Sequence, residues 1–149
     1  MFKYFNLLFA KIVWKTSWLL ERVILLYDLL IKRVYEKTDL KDGYRILVDR
    51  LWPRGKSKNE VKLDDWAKEI TPSTEIRKAF NHDAAKMDVF KENYVKELNQ
   101  NPATSEFLEL VSDKLKQSNV TLLYGAKNEV YNHAVVLRDW IMNELESNT

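Results

Sequence analysis

Two apolar runs of strand length constrain this chain most: Tyr44-Arg45-Ile46-Leu47-Val48 and Val120-Thr121-Leu122-Leu123-Tyr124. Apolar side chains at successive positions suit a strand covered on both faces, as at the centre of a parallel sheet. A shorter run, Ile31-Lys32-Arg33-Val34-Tyr35, alternates apolar and polar residues over a strand's length. The stretch between the two apolar runs carries helical periodicity, so the strands are expected to be joined by crossovers and to lie parallel. The expected fold is therefore α/β, a small layered domain whose mostly parallel sheet is flanked by helices.

The intervening helices can be placed from caps and spacing. Leu63 to Ile70 reads as one short helix, and Ser73 can cap another running to about Phe80. Asp83 can cap a third, with Met87, Phe90, Tyr94 and Leu98 at helical spacing. Asn101-Pro102 marks a further helix start, with Phe107 or Leu108, Val111 and Leu115 as its buried stripe. Asn128 can cap the last helix, which would bury Val130, Ala134, Leu137, Ile141 and Leu145.

Residues 1–30 read differently, as a separate amphipathic N-terminal segment. Phe2, Phe5, Leu8, Phe9, Ile12, Val13, Leu19, Leu20, Val23 and Tyr27 project on one helical face. Charges interrupt each apolar run well short of the roughly 18 residues that span a bilayer. Such a helix can pack on the domain or lie on a membrane surface, if the segment is expressed. The third reading is an upstream mis-start, with translation beginning at Leu29 or Leu30; the mass of the native protein distinguishes it.

Charge narrows the function classes. Within residues 1–30, Lys3, Lys11, Lys15 and Arg22 against Glu21 and Asp28 leave +2, which equals the formal net charge of the whole chain. The body is thus neutral and lacks the broad basic footprint of a non-specific nucleic-acid binder. Locally, Arg45, Arg50, Arg54, Lys56, Lys58 and Lys62 outnumber Asp49 and Glu60. The absence of cysteine removes disulfides and thiolate chemistry, and fits a reducing, cytoplasmic compartment.

The candidate site follows from topology. In open parallel sheets ligands sit beyond the carboxyl ends of the strands. One apolar strand runs into Asp49-Arg50-Leu51-Trp52-Pro53-Arg54-Gly55, the other into Gly125-Ala126-Lys127-Asn128 and then Asn132-His133. If the two strands are parallel neighbours, these segments meet. Arg50 and Arg54 offer planar forks to a phosphate or carboxylate. A helix start after Asn128 adds free N–H groups, Gly125 permits close backbone approach, and Trp52 supplies an aromatic face. The expected ligand-binding set is Arg50, Trp52, Arg54, Gly55, His82, Gly125, Lys127 and Asn132, with Asp49 and His133 as the acid–base pair.

The string Gly43-Tyr44-Arg45-Ile46-Leu47-Val48-Asp49-Arg50-Leu51-Trp52-Pro53-Arg54-Gly55 resembles the signature of the YeaO-like family, domain of unknown function 488. Further similar stretches follow in order: Leu63-Asp64-Asp65-Trp66, Pro72-Ser73-Thr74-Glu75-Ile76-Arg77, Phe80-Asn81-His82-Asp83, Thr121-Leu122-Leu123-Tyr124 and Asn132-His133-Ala134-Val135-Val136-Leu137. The resemblance covers about residues 31–142 and implies a compact bacterial-type α/β domain. It carries no catalytic assignment. The chain departs from it by the N-terminal segment and by Ala84, where relatives tend to place a helix-starting proline.

Each singled-out residue also has a structural reading. Asp49 beside two arginines can be an ion-pair partner, His133 a half-buried hydrogen-bonded histidine, His82 a loop residue, and Trp52 a packing anchor. No paired-ligand spacing points to a metal, and no phosphate loop, dinucleotide fingerprint or serine elbow points to a cofactor or reaction. Three classes remain: a domain for a small anionic, phosphorylated or nucleotide-like ligand; a nucleic-acid-associated regulator using Arg45 to Lys62; and a non-catalytic interaction protein. The first requires Arg50, Arg54 and His133 to converge. Nothing in the sequence sets an oligomeric state.

Overall fold

The structure is a computed structural model that describes residues 27–148. The N-terminal amphipathic helix expected over residues 1–30 falls almost entirely outside the described residues. Four strands form one parallel sheet: β1 (Leu29–Arg33), β2 (Tyr44–Leu47), β3 (Asp65–Trp66) and β4 (Val120–Tyr124), in the spatial order β1-β4-β2-β3. The helices are α1 (Lys58–Val61), α2 (Thr74–Phe80), α3 (Met87–Gln100), α4 (Thr104–Leu115) and α5 (His133–Ser147). The α/β fold with a parallel sheet and flanking helices is as the strand and helix patterns predict.

β4 lies between β1 and β2, and all five of its residues are buried. Alternate residues divide between two cores, as the period of a strand requires. Ile46, Val48, Val120, Leu122 and Tyr124 face the main core under α2 to α5, whereas Leu47 and Leu123 join Val34 and Val61 on the other face. That second face is covered by the long 48–64 connection, which adds Trp52 and Leu63, together with Trp66. The first crossover passes tightly over the start of β4. A Cβ on Gly43, whose φ is +63°, would lie 2.0 Å from the carbonyl oxygen of Asn119, so only glycine fits.

Arg45 does not belong to a surface cation loop. It is buried, pairs with Asp42, and donates from Nε and Nη2 to the Val61 carbonyl at 3.2 and 3.0 Å. Lys32 Nζ reaches the other Asp42 oxygen at 3.0 Å. Burial raises the Asp42 carboxyl, but the Asp39 N–H, Lys32 and the Arg45 charge outweigh it and hold it below the usual range. These contacts fasten the 48–64 connection to the sheet.

Three local expectations are corrected. Leu63–Ile70 is not a helix: Asp65–Trp66 forms the edge strand, followed by a tight 3-10 turn over Lys68–Ile70. The open edge of β2 decides this, because Asp64 N–H donates to the Arg45 carbonyl and Ala67 N–H to that of Leu47, both at 2.9 Å. The last helix is capped by Asn132, which accepts the Val135 N–H at 3.0 Å; Asn128 instead holds a turn by accepting from Val130 and Tyr131. Val130 therefore precedes the helix and is exposed rather than buried. Helix α4 begins at Thr104, after Asn101 accepts the Ala103 N–H, not at Pro102. By contrast Ser73 caps α2, and Phe90, Tyr94 and Leu98 of α3 are buried as their spacing predicts.

Candidate functional site

β2 and β4 are parallel neighbours, so the polar segments after them meet at one edge of the sheet. A cavity of about 280 Å³ opens there. The carboxylate of Asp49, just past β2, ties the edge together. Its Oδ2 accepts the Gly125 N–H at 2.8 Å, and its main-chain carbonyl accepts the Trp66 indole N–H at 2.6 Å. Gly125 is needed for this approach, since a Cβ there would sit 2.8 Å from Asp49 Oδ2.

His133 is the first residue of α5. Its Nε2 lies 3.0 Å from the Val48 carbonyl and 2.9 Å from Asp49 Oδ1. Both neighbours are acceptors, which assigns a ring proton to Nε2. The N–H is aimed at Val48. Asp49 Oδ1 is fully buried and off that axis, so it makes a charge contact without a directed hydrogen bond.

Two arginines stand at the mouth. Arg50 is exposed and donates from Nε to Thr71 Oγ1 at 3.3 Å; that hydroxyl in turn donates to the Lys68 carbonyl at 2.8 Å. Arg77, on α2, is exposed and donates to Thr74 Oγ1 at 3.3 Å. Neither has a carboxylate partner among the described residues. The cavity's buried lining is largely apolar: Val48, Pro72, Phe80 and Phe90 are buried beside the polar Thr71 and Asn132, and the two phenyl rings stack with centroids 4.4 Å apart.

His82 completes the rim. It follows Asn81 in the turn after α2, and both hold positive φ, 45° and 55°. A left-handed backbone at a non-glycine residue is strained and persists where the surroundings impose it. Its ring is tilted against Phe80, with centroids 6.3 Å apart.

The structure thus brings Asp49, Arg50, His82, Asn132 and His133 to one cavity, with Gly125 directly behind Asp49. The side chain of Asn132 is occupied, its Oδ1 by Val135 N–H and its Nδ2 by the Asn128 carbonyl, so it shapes the helix start. Five expected residues do not line the cavity: Trp52, Arg54, Gly55, Gly125 and Lys127. Trp52 packs on the opposite face, edge-to-face with Trp66 at 5.4 Å, and its indole N–H donates to the Lys56 carbonyl at 2.6 Å. Arg54 is exposed, and its carbonyl accepts the Tyr35 hydroxyl at 3.2 Å. Gly55 is exposed at φ +73°, serving a turn, and Lys127 is exposed. The convergence expected of Arg50, Arg54 and His133 therefore holds for Arg50 and His133 alone.

Sequence reasoning missed Thr71, Arg77, Phe80 and Phe90 as cavity residues. Their segments are separated from Asp49 by an edge strand and a turn, and only the packing of α2 and α3 on the sheet brings them near. Among the described residues no three His, Cys, Asp or Glu side chains form a metal-holding group, and no helix is long and apolar enough to cross a membrane.

Residues 28–149 match the DUF488-N3i family model, described as the "Inactive DUF488-N3 subclade". The chain belongs to this family. It is 52% identical over 110 residues to "Uncharacterized protein YeaO" of Escherichia coli K12, covering 74% of this chain and 93% of that protein. It is 36% identical over 107 residues to "Uncharacterized protein Rv3073c" of Mycobacterium tuberculosis H37Rv, covering 72% of this chain and 87% of the relative. The same figures hold for "Uncharacterized protein Mb3100c" of Mycobacterium bovis. No solved structure matches. The YeaO-like assignment drawn from the Gly43–Gly55 string stands.

Proposed function

We propose that this YeaO-like domain binds a small anionic ligand, phosphorylated or nucleotide-like, in the cavity at the carboxyl ends of β2 and β4. One observation supports this above the rest. The mouth holds two guanidinium groups, Arg50 and Arg77, without carboxylate partners among the described residues, while Asp49 is already engaged by Gly125 and His133. Arginine forks in such a position suit a phosphate or carboxylate. The interaction-protein alternative requires Arg50 and Arg54 to be consumed by Asp49, Glu75 or backbone carbonyls with no open cavity left; the Arg50 hydrogen bond goes to the Thr71 hydroxyl, at a cavity of about 280 Å³. The nucleic-acid alternative loses Arg45 to the interior.

Binding without turnover agrees with the word "inactive" in the family description. Turnover has one observation in its favour, the Asp49–His133 pair at 2.9 Å. A cysteine-free chain of this kind suits a cytoplasmic, reducing compartment.

The test is a thermal-shift screen of the full chain against inorganic phosphate, sugar phosphates and nucleotides. A ligand that binds the native state raises the melting temperature by mass action. Arg50→Gln and Arg77→Gln, both at exposed positions, are expected to weaken any hit at least about tenfold, the scale of a lost charge-assisted pair. Arg54→Ala, outside the cavity, is expected to leave it unchanged. No hit, or hits indifferent to Arg50 and Arg77, would overturn the proposal. Turnover assays on any hit separate the two readings.

A further inference from the structure

Resting on that reading, we infer that the ligand is a single aromatic or heteroaromatic ring bearing one anionic group, held ring-inward with the anion at the mouth. A buried apolar wall in the same cavity as two exposed cations carries this. The wall is made by Val48 and Pro72 and by the stacked pair Phe80 and Phe90, all buried. Its cations, Arg50 and Arg77, lie at the exposed end. A bare phosphate held by the arginines would make no contact with the apolar wall. A ring inserted against it removes its own surface from water and adds ring–ring contact.

Size sets the upper limit. At about 280 Å³ the cavity is at the small end of ligand pockets, which accommodates one ring with its anionic substituent and not a dinucleotide. His82 supplies the lateral contact. Its strained φ of 55° places an imidazole beside Phe80, where a ring can lie against both. Backbone strain of this kind collects at ligand clamps. The opposite polarity, anion inward, would set the charged group against Phe80 and Phe90 and leave both guanidinium groups without their partner.

The test is isothermal titration of the full chain with phenyl phosphate, methyl phosphate and benzyl alcohol. Phenyl phosphate is expected to bind about 30-fold or more tightly than methyl phosphate, from apolar transfer of one ring. His82→Gly, which relieves the positive-φ strain and so keeps the fold, is expected to weaken phenyl phosphate about fivefold or more while leaving methyl phosphate unchanged. Equal binding of the two phosphates would overturn the ring inference and leave the anion site standing. Benzyl alcohol binding as tightly as phenyl phosphate would overturn the anion at the mouth. Failure of all three would overturn both this inference and the proposed function.

Discussion

Asp49→Asn separates a carboxylate that organises the sheet edge from one that merely sits there. In the native protein Oδ2 accepts the Gly125 N–H at 2.8 Å, and Oδ1 lies 2.9 Å from His133 Nε2, whose proton is directed at the Val48 carbonyl. An asparagine can keep an oxygen for Gly125 only by turning its NH₂ toward the imidazole N–H, donor against donor. Turning the other way sets the NH₂ against Gly125. Switching the histidine tautomer would strip Val48 of its donor. The Gly125 hydrogen bond is therefore kept without its charge assistance, and one donor pair is left opposed.

A hydrogen bond to a charged group is worth about 1.5–3 kcal/mol against about 0.5–1.5 for a neutral one, and the opposed donors add to that difference. The side chains of His133 and Asp49 remain 18% and 20% exposed, so water relieves part of this, and about 2 kcal/mol is expected. In a domain of this size that lowers the melting temperature by about 4–8 °C. Urea unfolding should move the midpoint down by about 1 M with the slope unchanged. A cycle with His133→Ala should show coupling of about 1 kcal/mol. An Asp49→Asn protein within about 0.5 kcal/mol of the parent, or zero coupling to His133, would refute the reasoning.

Two further outcomes follow from the interior. The Asp42 carboxyl is held below the ordinary 3.8, so its native partners contribute stability that is complete above that value and is lost as pH falls through the lower, folded one. Asp42→Asn should therefore flatten the acid limb of a urea-midpoint profile below about pH 4; an unchanged acid limb would contradict it. The fully buried Tyr94 donates its hydroxyl to the Ile70 carbonyl at 2.6 Å, and burial, with the Glu97 and Asp49 charges, raises its ionisation far above the ordinary range. Tyr94→Phe leaves that carbonyl without a donor and should cost about 1–3 kcal/mol in chemical denaturation, whereas a neutral result would mean water replaces the hydroxyl.

The period-2 and period-3.6 patterns determined much by themselves. Ile46–Val48 and Leu122–Tyr124 are apolar at successive positions because both faces of the sheet are covered, and this is visible without neighbours. Ser73 and Asp83 mark their helical turns because a cap is a local hydrogen bond. The placement of Asp49, Arg50 and His133 at one edge followed from parallel pairing of two strands.

Only the tertiary structure decided the rest. Asp65 and Trp66 became a strand because β2 offered an open edge, which overrides the weak helical preference of Leu63–Ile70. Asn132 rather than Asn128 caps α5, although both are capable caps, because the Asn132 amide also holds the Asn128 carbonyl. Adjacent members of one motif, Arg50 and Trp52, serve opposite faces of the sheet, and Arg77 and Phe90 reach the cavity from elements far along the chain. Local hydrogen bonding and periodicity act over a few residues and are legible in order; which side chains share a cavity depends on how distant elements pack.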